Sequence, residues 1–269
     1  MFSFNFQSEI FISSGSTLID KFLLALATLF CVFTSQALSY DCDFYDEDGL
    51  GYRISGEGTV SLSDAWGPNE SPAIITDLVV PETVTFGNQT YTVTGISSYI
   101  FVPYLLTCED QDFTYPYLKS LTIPNTVKRI SDYAFVECIS LETVDLGNGV
   151  ETLGSSFIGC TSLKNVRLPK TLKSIVSRTF TGTGIEAYEM DDANPYFTVV
   201  DGVLYDKNVT RLISYPTCKA GAFSVPESVT SMNESAFGNC TKLTNLFIGD
   251  QVKNIGVDLL YCSSVEQVR

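Results

Sequence analysis

The sequence predicts a β-rich solenoid, built from short parallel strands in coils of 22 or 23 residues and carrying β-hairpin insertions. Three observations lead to this fold class: a polarity pattern that returns every 22 or 23 residues, a proline or glycine after most short apolar segments, and glycine-containing turns between β-branched runs. The 269 residues are 45% hydrophobic and only 17% charged, so the chain can bury a substantial core.

Each copy of the repeat opens with three apolar positions, seen first at Leu118, Leu121 and Ile123. Later copies begin at Leu141, Leu163, Ile185 and Leu243. A second apolar pair three residues apart follows, and three copies close with a phenylalanine and then a cysteine three residues later. These are Phe135/Cys138, Phe157/Cys160 and Phe237/Cys240. Because these positions keep their polarity while their neighbours change, we expect them to point into a core shared by neighbouring coils.

The short apolar segments are predicted to be strands rather than helices. Leu121, Thr122 and Ile123 alternate in polarity, and Pro124 directly after them would end a helix. A single coil cannot bury its own apolar face, so the coils must stack. We therefore expect one continuous interior and cooperative unfolding, with no stable isolated repeat.

The ends and interruptions of the array also have sequence signals. Residues 40–75 are predicted to form two capping strands around a turn at Gly56–Gly58, and residues 76–269 to form the repeats. A Gly87–Asn88 turn marks an irregular first coil, and Asp201–Gly202 marks a hairpin insertion at about 191–222. A further unit begins just before Arg269, which indicates a truncated C-terminus.

Residues 1–39 have the outline of a secretory signal peptide. Lys21 precedes the 12-residue apolar run Phe22–Phe33, which is too short to span a bilayer, and cleavage fits after Ala37 or after Ser39. The alternative is a buried core helix. No other long apolar run follows, so the sequence predicts a secreted or cell-surface protein with no integral membrane span in the mature chain.

The charge and the residue types exclude or disfavour several functions. The formal net charge is −15 and no large Lys/Arg cluster occurs, so no nucleic-acid partner is predicted. The sequence has no histidine, the commonest general base and metal ligand, which lowers the expectation of catalysis. Asp191 and Asp192 form an acidic pair near the insertion that turn chemistry explains. We predict no catalytic residue, no cofactor and no metal.

The cysteines and the acidic entry segment are predicted to be structural. The repeating cysteines have no CxxC spacing and are interpreted as small packing residues. Cys42, Cys108 and Cys218 are expected to lie outside the repeat register, and one pair among them is a candidate disulfide. Five acidic residues between positions 41 and 48 do not match a calcium-binding loop, so a solvated segment is predicted. Sequons occur at Asn69, Asn88, Asn208, Asn233 and Asn239.

The segment LKSLTIPNTVKRISDYAFVECISLETV, which starts at Leu118, resembles the BspA-like leucine-rich repeats. The family's element of an apolar residue, proline, any residue, Ser or Thr, and valine occurs at 80–84, 123–127 and 225–229. The resemblance extends from about Cys42 to the end of the chain. It implies a β-rich leucine-rich repeat solenoid, an exported surface or secreted protein of mucosal microbes, and an adhesive role toward host matrix or cell-surface proteins.

The most plausible binding surface is the outward row on the first strand of each coil. Its members are Thr122, Asp145, Arg167, Glu189 and Phe247. Coils stack about 4.8 Å apart, so the row forms a ladder of mixed charge that suits protein partners. The alternative is a set of solvated pairs between coils. The sequence thus predicts a non-enzymatic interaction module, or alternatively the repeat scaffold or targeting module of a larger secreted enzyme whose catalytic domain lies beyond residue 269.

Overall fold

The computed structural model describes residues 42–65, 74–101, 114–176, 178–260 and 263–268, which belong to one compact unit. All regular structure in these residues is β-strand. In chain order the strands are β1 Phe44–Tyr45, β2 Gly51–Gly56, β3 Thr59–Asp64, β4 Asp77–Val79, β5 Thr83–Phe86, β6 Gln89–Ile96, β7 Ser120–Thr122, β8 Arg129–Ile130, β9 Thr143–Asp145, β10 Thr152–Leu153, β11 Asn165–Leu168, β12 Ser174–Ile175, β13 Ala187–Met190, β14 Phe197–Val200, β15 Val203–Asp206, β16 Arg211–Ser214, β17 Gly221–Ser224, β18 Ser231–Met232, β19 Leu243–Phe247, β20 Asn254–Ile255 and β21 Gln267–Val268. The expected signal peptide, the sequon at Asn69 and Cys108 lie outside the described residues.

Each coil contributes two strands, and most of these strands pair in parallel with the equivalent strand of the next coil; the exceptions are β9/β11, β13/β17 and β12/β16. The first strands are β4, β7, β9, β11, β13, β17, β19 and β21. The second strands are β6, β8, β10, β12, β16, β18 and β20. Ile130, Leu153 and Ile175 are consecutive register partners, one coil apart. The predicted solenoid of short parallel strands with hairpin insertions is therefore confirmed.

The N-terminal strands β1, β2 and β3 cover the ladder of second strands. β2 and β3 form an antiparallel hairpin around Glu57–Gly58, and β3 pairs in parallel with β6. The acidic entry segment stabilises this cap, because the Asp46 carboxylate accepts hydrogen bonds from the Leu50 N–H and the Tyr52 hydroxyl, both at 2.9 Å. Among the described residues, no group of three or more Cys, Asp or Glu side chains could hold a metal ion.

Two hairpin insertions occupy the same place in their coils, between the first and the second strand. The turn Gly87–Asn88 joins β5 to β6, and the turn Asp201–Gly202 joins β14 to β15. The second insertion is shorter than the predicted 191–222. β16 pairs in parallel with β18, and β17 pairs in parallel with β19, so both strands belong to the regular ladders.

The tip of the β14–β15 hairpin packs against β13, in the ladder of first strands. The Tyr188 N–H of β13 donates to the Gly202 carbonyl at 2.9 Å. Gly202 has a φ of +77°, and a Cβ atom on it would lie 2.8 Å from the Ala187 Cβ. Glycine lets the tip approach this closely. The tip takes the hydrogen-bonding edge of β13, which explains why β13 does not pair with β17.

The interior is divided into two clusters, so the prediction of one continuous interior is wrong. One cluster runs from Phe44 to Tyr188 and includes Leu204 and Ile213, and the other holds Val203, Tyr205 and the residues from Tyr215 onward. Buried polar contacts lie near the division. The Tyr188 hydroxyl contacts Ser214 Oγ at 2.8 Å, and Thr183 Oγ1 contacts Thr217 Oγ1 at 3.2 Å. Thr183 and Tyr188 precede the hairpin in the chain, and Ser214 and Thr217 follow it, so these contacts join the coils on its two sides.

The phenylalanines of successive coils stack inside the solenoid. The ring centroids of Phe135 and Phe157 are 5.3 Å apart, and those of Phe157 and Phe180 are 5.7 Å apart, with nearly parallel planes. Beyond the insertion the column restarts, with Tyr215 and Phe237 at 5.2 Å. Such pairs add about 0.5–1.5 kcal/mol each beyond the apolar area that they bury.

Cys218 belongs to the repeat register, contrary to the sequence prediction. It follows Tyr215 by three residues, as Cys240 follows Phe237, and its Sγ lies 3.7 Å from the carbonyl of Thr183, the equivalent residue of the preceding coil. The sequence signal was the aromatic residue three positions earlier, which is a tyrosine here rather than a phenylalanine. Cys42 and Cys218 are free thiols, so the candidate disulfide between these two does not form.

A tight contact between neighbouring coils makes Gly149 irreplaceable. A Cβ atom on Gly149 would lie 1.9 Å from the Asn125 carbonyl oxygen and 2.5 Å from its carbon, both backbone atoms. We expect Gly149→Ala to lower the free energy of unfolding by about 1–3 kcal/mol, because the coils must separate to admit the methyl group. Urea unfolding followed by circular dichroism measures this change. Asn148→Ala, next to it and on an exposed side chain, is the control, and equal stability of the two variants would contradict the contact.

Candidate interaction surface

The structure places all five residues of the predicted row on first strands, with exposed side chains. Thr122 ends β7, Asp145 ends β9 and Phe247 ends β19, whereas Arg167 and Glu189 lie next to the last residue of β11 and β13. Side chains alternate between the two faces of a strand. The neighbouring Leu121, Val166, Tyr188 and Leu246 are consequently buried.

The strand register aligns most of the row. Thr122 is the register partner of Asp145, and Arg167 is the partner of Glu189. The same register adds two residues that the sequence analysis missed: Val79 pairs with Thr122, and Ser224 pairs with Phe247. The sequence could have revealed Val79, because it directly precedes Val80 and Pro81 of the family element, as Thr122 precedes Ile123 and Pro124. Ser224 has the same signal, because it directly precedes Val225 and Pro226 of the element at 225–229.

A shallow groove opens where β9 and β11 lie side by side without ladder hydrogen bonds. It has a volume of about 470 Å³, and its lining includes Asp145, Arg167, Lys170 and Asp191. Two residues of the predicted row therefore line one groove. Its walls carry both signs of charge, an arrangement that suits a polar segment of another protein more than a small apolar ligand.

The charges of the row are available to a partner. Within the described part of the chain, no ion pair involves Asp145, Arg167 or Glu189, although Arg167 and Glu189 are neighbours in register. Asp145 Oδ1 accepts the Gly147 N–H at 2.9 Å, which fixes its orientation. The planar guanidinium of Arg167 can bind a carboxylate through two parallel hydrogen bonds.

The buried thiols have the chemistry of packing residues. Burial raises the pKa of Cys138 and Cys160, and it raises the pKa of Cys240 to about 12. A thiol must lose its proton to act as a nucleophile or to bind a metal. These three cysteines therefore remain protonated near neutral pH and contribute apolar contacts to the column beside the phenylalanines.

The fold and the site together define a class of protein: a β-solenoid that presents one extended, mainly polar strand face. The model of the BspA type leucine rich repeat region matches six copies in the chain, over residues 82–198 and 213–269. The chain belongs to this family. The second matched range begins within β16, in agreement with the place of that strand in the regular ladder.

Solved structures share the fold at low sequence identity. A leucine-rich repeat protein from Eubacterium ventriosum is 18% identical, with a TM-score of 0.53 over 82% of this chain and 66% of that one. A leucine-rich repeat protein from Bacteroides ovatus is 21% identical, with a TM-score of 0.51 over 83% of this chain and 57% of that one. The chain thus spans less than two thirds of either protein. A comparison with curated proteins found no match.

The described residues contain no helix long and apolar enough to cross a membrane.

Proposed function

We propose that the protein is an exported, non-enzymatic interaction module whose first-strand face binds other proteins, with adhesion to matrix or cell-surface proteins as its role. The observation that carries the proposal is the outward row. Its register partners differ in charge, as in Thr122 with Asp145 and Arg167 with Glu189, and its charged members form no ion pairs within the described residues. Solenoids offer extended faces of this kind. The family resemblance and the signal-like segment at residues 1–39 support export.

The physical basis of binding would be many weak contacts on a repetitive surface. A single exposed ion pair contributes less than about 1 kcal/mol, so one coil alone binds weakly. Contacts spread over several coils of a rigid solenoid act together because each contact raises the effective concentration of the next. We therefore expect micromolar affinity that decreases with salt concentration.

A binding assay with a charge-reversal variant tests the proposal. The purified chain is applied to immobilised extracellular-matrix proteins and to fixed epithelial cells, with an unrelated acidic protein as the background. We expect binding above this background and a loss of about tenfold in Arg167→Glu, because the reversal places three like charges along the row. Arg129→Glu is the control, since Arg129 is exposed on β8 in the other ladder.

Two results would refute the proposal. One is binding no stronger than that of the acidic background protein on every surface. The other is an equal loss in Arg129→Glu and Arg167→Glu, which would point to overall charge rather than to the first-strand face.

A further inference from the structure

Among the described residues, no strand pairs with the outer edge of β4, which ends the ladder of first strands. The Thr76 carbonyl accepts the Lys119 N–H at 2.6 Å, and the Val80 N–H donates to the Thr122 carbonyl at 3.0 Å. Backbone groups of a strand alternate in direction, so those of Asp77 and Val79 turn away from β7. These groups have no hydrogen-bond partner among the described residues. The N-terminal cap forms its ladder pairing with β6, which belongs to the other ladder.

A groove lies at the C-terminal end of this edge, where Val79 lines it. It has a volume of about 500 Å³, and its apolar lining includes Leu50, Val79 and Val84. The Val79 side chain is 67% exposed, and that of Ile74, just before β4, is 69% exposed. An exposed apolar edge strand is a template for pairing with another chain.

One wall of the groove is acidic. Glu47 and Asp48 line it, both are exposed, and neither forms an ion pair in the described ranges of the chain. The neighbouring Asp46 differs, because its carboxylate is occupied by the Leu50 N–H and the Tyr52 hydroxyl. The free charges at this wall attract a basic side chain.

We propose that this groove binds an extended segment of a partner protein, which adds a strand to the outer edge of β4 and places a lysine or arginine beside Glu47 and Asp48. Backbone hydrogen bonds to Asp77 and Val79 supply affinity, as in other cases of strand addition. An apolar side chain on the segment covers Val79. This inference rests on the interaction role proposed above, but it concerns a second place on the protein and a different chemistry.

Three end-blocked peptides test the strand and the charge separately. Each has seven residues that alternate threonine and valine: one carries a central lysine, one carries a glutamate there, and one keeps the lysine but has N-methyl groups on alternate amides. Fluorescence polarisation measures affinity for the purified chain, and hydrogen exchange with mass spectrometry follows residues 74–80. We expect the lysine peptide to bind and to slow exchange there, and the other two to bind at least about tenfold more weakly.

Protein variants provide the matched control. The double variant Glu47→Lys/Asp48→Lys should lose at least about tenfold of its affinity for the lysine peptide. Glu57→Lys introduces a lysine at the exposed far end of the β2–β3 hairpin and should bind normally. The inference is overturned if the lysine peptide does not bind at about 1 mM, if all three peptides bind equally, or if the double variant binds like Glu57→Lys.

The matrix-binding assay separates this inference from the proposed function. If the peptides fail while Arg167→Glu still reduces matrix binding, only the groove at β4 is refuted. If the lysine peptide binds as expected while matrix binding is absent, only the proposed role of the first-strand row is refuted.

Discussion

Replacement of Asn194 by alanine should lower the free energy of unfolding by at least about 3 kcal/mol. Asn194 is fully buried, and its amide makes four hydrogen bonds to the backbone. The side-chain nitrogen donates to the carbonyls of Pro169 and Leu172, at 3.1 and 2.9 Å. The side-chain oxygen accepts the N–H groups of Tyr196 and Phe197, at 2.8 and 2.9 Å. Alanine would leave these backbone groups unpaired.

Urea unfolding of the purified chain measures this loss. Asn194→Asp should be at least as damaging, because it keeps the acceptors but points a buried negative charge at two carbonyl oxygens. Asn208→Ala makes the same substitution at an exposed position of the same insertion and should change stability by less than about 0.5 kcal/mol. A loss below about 1 kcal/mol in Asn194→Ala would show that the amide does not hold the insertion to the preceding coil.

Phe157→Ala should cost about 3–5 kcal/mol of the unfolding free energy, which is a large part of the stability of an ordinary domain. Phe157 has no exposed surface, and its ring stacks on Phe135 on one side and on Phe180 on the other. Truncation leaves a cavity between two rigid coils. Because the ladder hydrogen bonds fix the spacing of those coils, the neighbours cannot collapse into the space.

The measurement is again chemical unfolding, supported by the melting temperature. Phe157→Leu should lie between the wild type and Phe157→Ala, since leucine fills part of the space. Tyr196→Ala removes an aromatic ring that is 48% exposed, and it should have a much smaller effect. If Phe157→Ala and Tyr196→Ala proved equally stable, the stacked column would not be a main source of stability.

The two interruptions of the repeat show where sequence reasoning loses precision. Asp201–Gly202 correctly predicted a hairpin, because the turn is encoded by two adjacent residues. The limits of the insertion were misjudged because β16 and β17 lack the usual apolar spacing, and they join the ladders through long-range pairing. Cys218 was assigned outside the repeat register for a related reason. The loop after β16 is short, so the number of residues between β16 and Cys218 differs from that in a regular coil.

Sequence reasoning likewise identified only part of the candidate surface. Strand alternation alone predicted that Thr122, Asp145, Arg167, Glu189 and Phe247 point outward. The register then showed that Val79 and Ser224 extend the row. The grooves were also invisible in the sequence, because each one joins residues from distant parts of the chain. Asp46 to Asp48 meet Val79 only after the cap has folded.

The sequence by itself determined the solenoid of short strands and the inward position of the repeated apolar residues. These features depend on spacings within one coil, where polarity and turn residues act locally. The tertiary structure decided which coils pair continuously, where the interior divides and which strand edge has no partner among the described residues. Those outcomes depend on how the hairpin at Gly202 and the N-terminal cap pack against strands that are far away in the sequence, and no local pattern encodes such contacts.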